Sequence, residues 1–98
     1  MKKIKISIIG LGFVGLSLAV VNANLGCKTI GIEIDKKKID QVTKGKPDFY
    51  EPDVEKLLKN SLKKKTISFT NKFENILDTD ITFVTVGTPS DKNGKIDL

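Results

Sequence analysis

With 98 residues, 39% hydrophobic and 30% charged, the chain has the make-up of one small globular domain and not of a disordered or fibrous segment. Its net charge is +5, yet all 17 basic residues are lysine, and without arginine's bidentate fork the charge fits a solvated surface better than a nucleic-acid partner. The absence of histidine excludes Cys-His, Ser-His-Asp and histidine-based metal sites, and the single cysteine excludes an internal disulfide.

The chain reads as alternating strand and helix. Ile4 to Ile9 is an apolar strand that runs into Gly10-Leu11-Gly12-Phe13-Val14-Gly15, a G-x-G-x-x-G turn opening a helix. Val14, Leu18, Val21 and Leu25 recur at helical spacing and predict the buried face of that helix, which stops at Gly26. Cys27 follows as a small apolar residue before Lys28 to Glu33, a second short strand. Asp35 is placed to cap a short helix carrying Ile39 and Val42 and ending at Gly45. After a connector through Glu51, Pro52 stands at a first helical position, and Val54, Leu57, Leu58 and Leu62 form an apolar stripe. Lys63-Lys64-Lys65 reads as a solvated helix end near a negative dipole terminus. Thr66 to Phe69 is a third strand, Asn71 and Glu74 resemble a capping box for a short helix through Leu77, and Ile81 to Val86 is a fourth strand.

This pattern predicts an α/β fold, a Rossmann-type doubly wound parallel sheet of about four strands in the order 3-2-1-4. In such folds ligands sit at the carboxyl ends of the strands. Gly10 gives the tight turn, Gly12 lets the backbone approach a pyrophosphate, and Gly15 lets helix and strand pack closely. Free N–H groups and the positive helix terminus then face the diphosphate. Glu33, 23 residues beyond Gly10, closes the second strand where a carboxylate accepts hydrogen bonds from the adenosine ribose. A carboxylate there repels a 2′-phosphate and favours NAD over NADP, a preference that Lys36, Lys37 and Lys38 soften. With the fourth strand beside the first, Val86, Gly87, Thr88, Pro89 and Ser90 would lie next to the glycine turn; Gly87 and Pro89 also suit a plain turn.

Gly10-Leu11-Gly12-Phe13-Val14-Gly15-Leu16-Ser17-Leu18-Ala19, then Gly31-Ile32-Glu33-Ile34-Asp35, Tyr50-Glu51-Pro52, and Val86-Gly87-Thr88-Pro89 with Gly94 and Asp97-Leu98 closely resemble the amino-terminal NAD-binding domain of UDP-glucose/GDP-mannose dehydrogenases, a group that includes enzymes of UDP-N-acetylmannosamine. The resemblance spans essentially the whole chain. It implies an oxidoreductase that converts the primary alcohol of a UDP- or GDP-sugar to the uronic acid in two NAD+-dependent steps, for polysaccharide synthesis. Cofactor contacts are implied along Gly10, Leu11, Gly12, Phe13, Val14 and Gly15, at Glu33 and Lys38, and at Val86, Gly87, Thr88, Pro89 and Ser90. Departures from the family pattern are Phe13 for tyrosine, Ser17 for proline, Asp53 for glycine and Glu33 for aspartate. The extra methylene of Glu33 requires its carboxylate to fold back.

The family's catalytic cysteine, its companions and the sugar-binding region would lie beyond residue 98. Cys27 does not match that cysteine. The expectation is therefore an amino-terminal portion of a cofactor domain, with no catalytic residue and no metal site, inactive alone, from a cytoplasmic homo-oligomeric enzyme with a nucleotide-sugar substrate and neither nucleic-acid nor membrane partner. A nonenzymatic nucleotide-sensing module shares the glycine turn and the acidic residue and stands as the alternative. Short-chain hydroxyacid and 6-phosphogluconate dehydrogenases share the turn but not the Tyr50-Glu51-Pro52 and Gly87-Thr88-Pro89 segments.

Overall fold

The computed structural model describes residues 4–85. The expectations for Val86, Gly87, Thr88, Pro89 and Ser90, and for Gly94, Asp97 and Leu98, lie outside the described residues. Four strands, β1 (Lys5–Ile9), β2 (Lys28–Ile32), β3 (Ile67–Thr70) and β4 (Ile81–Val84), form one parallel sheet in the order β3-β2-β1-β4. The helices are α1 (Phe13–Asn24), α2 (Lys36–Thr43) and α3 (Pro52–Lys64), with a 3₁₀ helix at Phe73–Asp78 before β4. Parallel neighbours need crossover connections, and these segments provide them.

In-register pairing sorts the strand residues by face. Ile6 pairs with Thr29 and Ile81, and Ile8 with Gly31 and Phe83, so these share the face that α1 and α3 cover. The core there joins Ile6, Ile8, Leu11, Leu16, Ala19, Val20, Ala23, Val54, Leu58 and Ile67. On the opposite face Ser7 is fully buried, and its hydroxyl is hydrogen-bonded with Thr79 Oγ1 (2.9 Å) and Thr82 Oγ1 (2.8 Å). A buried hydroxyl needs such partners, and these tie β4, through Thr82, and Thr79 at the end of the 3₁₀ segment to β1.

The boundaries follow local chemistry. Asp35 accepts from Lys37 N–H (3.0 Å) at the start of α2, and Glu51 accepts from Asp53 N–H (3.1 Å) ahead of Pro52 at the start of α3. Gly26 (φ 98°) and Gly45 (φ 78°) follow α1 and α2 in the left-handed region, while α3 ends on Lys65 at φ 61°. Lys63 and Lys64 occupy the last, exposed turn of α3, as expected.

The structure revises two sequence expectations. The buried face of α1 is Gly15, Leu16, Ala19, Val20 and Ala23, whereas Val14 is 62% and Leu25 77% exposed. This helix is apolar nearly all round, so helical spacing alone admits either stripe; Gly15, Ala19 and Ala23 let the backbone come close to the sheet, and the bulkier stripe turns outward. The capping box at Asn71 and Glu74 also does not form. Thr70 Oγ1 takes the Lys72 N–H (3.1 Å), Lys72 precedes the helix, and the segment winds as a 3₁₀ turn.

Candidate functional site

The carboxyl ends of β1, β2 and β4 meet at the glycine turn. Gly10 has φ 92°, a conformation that needs glycine, and its N–H donates to Ile32 O (2.8 Å) at the end of β2. Just past β4 the Thr85 N–H donates to Ile9 O (2.8 Å), and the Thr85 hydroxyl donates to Gly10 O (2.7 Å), with Ile9 O at 3.1 Å. The turn is thus fastened to the strands on both sides of β1.

Gly12 and Gly15 differ in what surrounds them. A Cβ on Gly15 would overlap Gly10 O and Thr85 Oγ1, so Gly15 is required by packing. Gly12 has an ordinary φ of −74°, and a Cβ built there meets nothing within 4 Å. Nothing in the described fold requires glycine at that position. Gly12 precedes α1 without offering a side-chain cap, and helix geometry leaves the N–H groups of Phe13, Val14 and Gly15 without intrahelical acceptors. The positive end of a 12-residue helix therefore opens beside an uncrowded backbone.

The Glu33 carboxylate reaches this turn. One carboxylate oxygen accepts from Leu11 N–H (2.9 Å) and the other from Asp35 N–H (3.0 Å). Both oxygens keep further lone-pair directions for other donors. Beside them lies a pocket of about 80 Å³ lined by Ile9, Gly10, Ile32, Glu33, Ile34 and Phe73.

The other expected residues are placed as follows. Leu11 contributes its backbone, because its side chain is buried in the core. Phe13 is half-exposed, and its ring packs against Phe49 at 5.0 Å between centroids. Lys38 is half-buried on α2, and among the described residues the single ion pair is Lys59–Glu55, so none of Lys36, Lys37 and Lys38 pairs with Glu33. Cys27 is half-buried at the amino end of β2, across the sheet from the glycine turn. Sequence reasoning missed Thr85 and Phe73: Thr85 reaches the turn through strand pairing across 75 residues, and Phe73 lies on a 3₁₀ turn that carries no binding motif.

Comparison with known proteins bears on this arrangement. Residues 4–98 match the UDP-glucose/GDP-mannose dehydrogenase family, NAD binding domain. The chain is 41% identical over 95 residues to the GDP-mannose 6-dehydrogenase of Pseudomonas aeruginosa, covering 96% of this chain and 22% of that protein. The ternary-complex crystal structure of GDP-mannose dehydrogenase from Pseudomonas aeruginosa superposes with a TM-score of 0.87 at 41% identity, over 95% of this chain and 22% of that one. A UDP-glucose dehydrogenase from the archaeon Pyrobaculum islandicum gives 0.88 at 35% identity, over 99% and 23%. The chain thus spans less than a quarter of the length of these proteins. With a glycine turn at the sheet's carboxyl edge, an acidic residue folded against it, and a family match over nearly its whole length, the chain belongs to the UDP-glucose/GDP-mannose dehydrogenase family, in its NAD-binding domain.

Proposed function

We propose that the chain is the NAD-holding portion of a nucleotide-sugar 6-dehydrogenase, which oxidises the primary alcohol of a UDP- or GDP-sugar to the uronic acid in two NAD+-dependent steps. The observation that carries this reading is Gly12: a glycine with ordinary dihedral angles and open space where a side chain would stand, at the mouth of a helix N-terminus. A pyrophosphate needs that space and those N–H groups. Gly10 and Leu11 shape the turn, and Phe13, Val14 and Gly15 N–H face the diphosphate. Glu33 accepts from the adenosine ribose, and Ile34 and Phe73 flank the adenosine. Val86, Gly87, Thr88, Pro89 and Ser90 continue the cofactor's border beyond β4, and Lys38 adds positive charge beyond β2.

When bound, NAD+ supplies the hydride acceptor. The residues of this chain bind and orient it, and the catalytic and sugar-binding groups are assigned to residues outside these 98. Two features of the described residues support that division. Val14, Val21 and Leu25 on the outer side of α1 and Ile81 and Val84 on β4 are exposed apolar residues suited to further covering structure. The position of Cys27, at the far end of the sheet from the cofactor turn, supports no nucleophilic role.

Calorimetric titration of the 98-residue chain with NAD+, followed by addition of UDP-glucose, GDP-mannose or UDP-N-acetylmannosamine, tests both halves. The expected result is saturable NAD+ binding with no NADH absorbance at 340 nm. Absence of binding contradicts the cofactor assignment, and NADH production contradicts the placement of the catalytic groups.

A further inference from the structure

The peptide unit between Gly10 and Leu11 is held at both ends. Its carbonyl oxygen accepts from Thr85 Oγ1 (2.7 Å), and its N–H donates to Glu33 Oε1 (2.9 Å). A trans peptide presents these groups in opposite directions, so the three groups form one chain of hydrogen bonds across the sheet edge, from β4 through the glycine turn to the end of β2. Such chains polarise their members: a donor on the carbonyl strengthens the N–H as a donor at the other end. The positive φ of Gly10 makes this peptide one that glycine's freedom would otherwise allow to reorient. Thr85 removes that freedom, and it sits against Gly15, where a Cβ would strike both Thr85 Oγ1 and Gly10 O.

We propose that Thr85 is a positioning residue for cofactor binding: its hydroxyl fixes the Gly10–Leu11 peptide so that Leu11 N–H holds the Glu33 carboxylate in the orientation that receives the adenosine ribose. Asp35 N–H holds the second carboxylate oxygen (3.0 Å), so the clamp on Glu33 is two-sided and half of it depends on Thr85. The inference rests on the reading of Glu33 as the ribose partner and adds the residue that orients it. It assigns to Thr85 an effect on ribose recognition, beyond a general effect on the turn.

The test uses the 98-residue chain and two probes, NAD+ and an NAD+ analogue lacking the adenosine 2′-hydroxyl, titrated into wild type, Thr85→Val, Thr85→Ser and Glu33→Gln. Wild type is expected to prefer NAD+ over the analogue by roughly tenfold or more, the effect of one hydrogen bond to a charged partner. Thr85→Val is expected to lose most of this preference, and Thr85→Ser, which keeps the hydroxyl, to restore it. Loss of the preference in Glu33→Gln with full retention in Thr85→Val overturns the role of Thr85 and leaves that of Glu33 standing. Retention in Glu33→Gln, or absence of a preference or of binding in wild type, overturns the ribose assignment and this inference with it.

Amide exchange of Leu11 in the cofactor-free chain gives a second reading that needs no ligand. The expected result is exchange roughly tenfold faster in Thr85→Ala than in Thr85→Ser, measured relative to Ile8 in β1. Equal relative rates overturn the proposal. Thr85→Ala keeps the strand N–H bond to Ile9 and replaces Thr85→Val in the titrations should the valine variant not fold.

Discussion

Gly12 and Gly15 stand three positions apart in one turn and are glycine for unlike reasons. Gly15 Cα lies against Gly10 O and Thr85 Oγ1, and any side chain there meets backbone that cannot move without unpicking the β1–β4 ladder. Gly15→Ala is therefore expected to lower stability by about 2 kcal/mol or more, read as a fall in thermal midpoint; an unchanged midpoint would contradict the close approach. At Gly12 the surroundings impose no such constraint. The motif in the sequence announced all three glycines, because their spacing is a local property. It did not announce Thr85, whose hydroxyl meets the turn only after strands distant in sequence have paired. The sequence singled out Glu33 as the acidic residue after the second strand; its partners Leu11 and Asp35 were not legible, since their N–H groups carry no side-chain signature.

At the scale of the element, helix starts and stops read well from sequence and helix faces did not always. Asp35, Pro52, Gly26 and Gly45 act where local chemistry places them. For α2 and α3, polar residues on the outer side leave one choice of buried stripe, and Val42, Val54 and Leu58 are buried as expected. In α1 no such contrast exists. Val20 is fully buried and Val21 is 49% exposed, although the spacing pattern assigned burial to Val21. Val20→Ala is expected to cost about 2 kcal/mol and Val21→Ala under about 0.5, measured by urea denaturation of the same chain; equal costs would contradict the orientation of α1. The outward stripe has its own feature, a groove lined by Phe13, Val14, Ser17, Leu18, Val21 and Asn22. Asn24 fixes the other side, donating from Nδ2 to Leu57 O (2.9 Å) and Ser61 Oγ (2.6 Å) and so tying α1 to α3.

For the molecule as a whole, the strand order 3-2-1-4 was legible because alternating strands and helices restrict a parallel sheet to few topologies, and the glycine turn marks β1 as the point where the order reverses. That reversal brings Gly10, Glu33 and Thr85 to one edge from three strands. The 3₁₀ segment was harder to read, because Thr70 and Lys72 settle its start by a bond that competes with the apparent cap. What remains is whether the open space at Gly12 exists for a ligand. Titration of NAD+ into wild type and Gly12→Val, with thermal melts of both, answers this most directly. The account predicts at least a roughly tenfold loss of affinity with a midpoint lowered by no more than about 8 °C, the cost of a poorer helix cap. Unchanged NAD+ affinity in a folded Gly12→Val chain would contradict the assignment of this turn to the pyrophosphate.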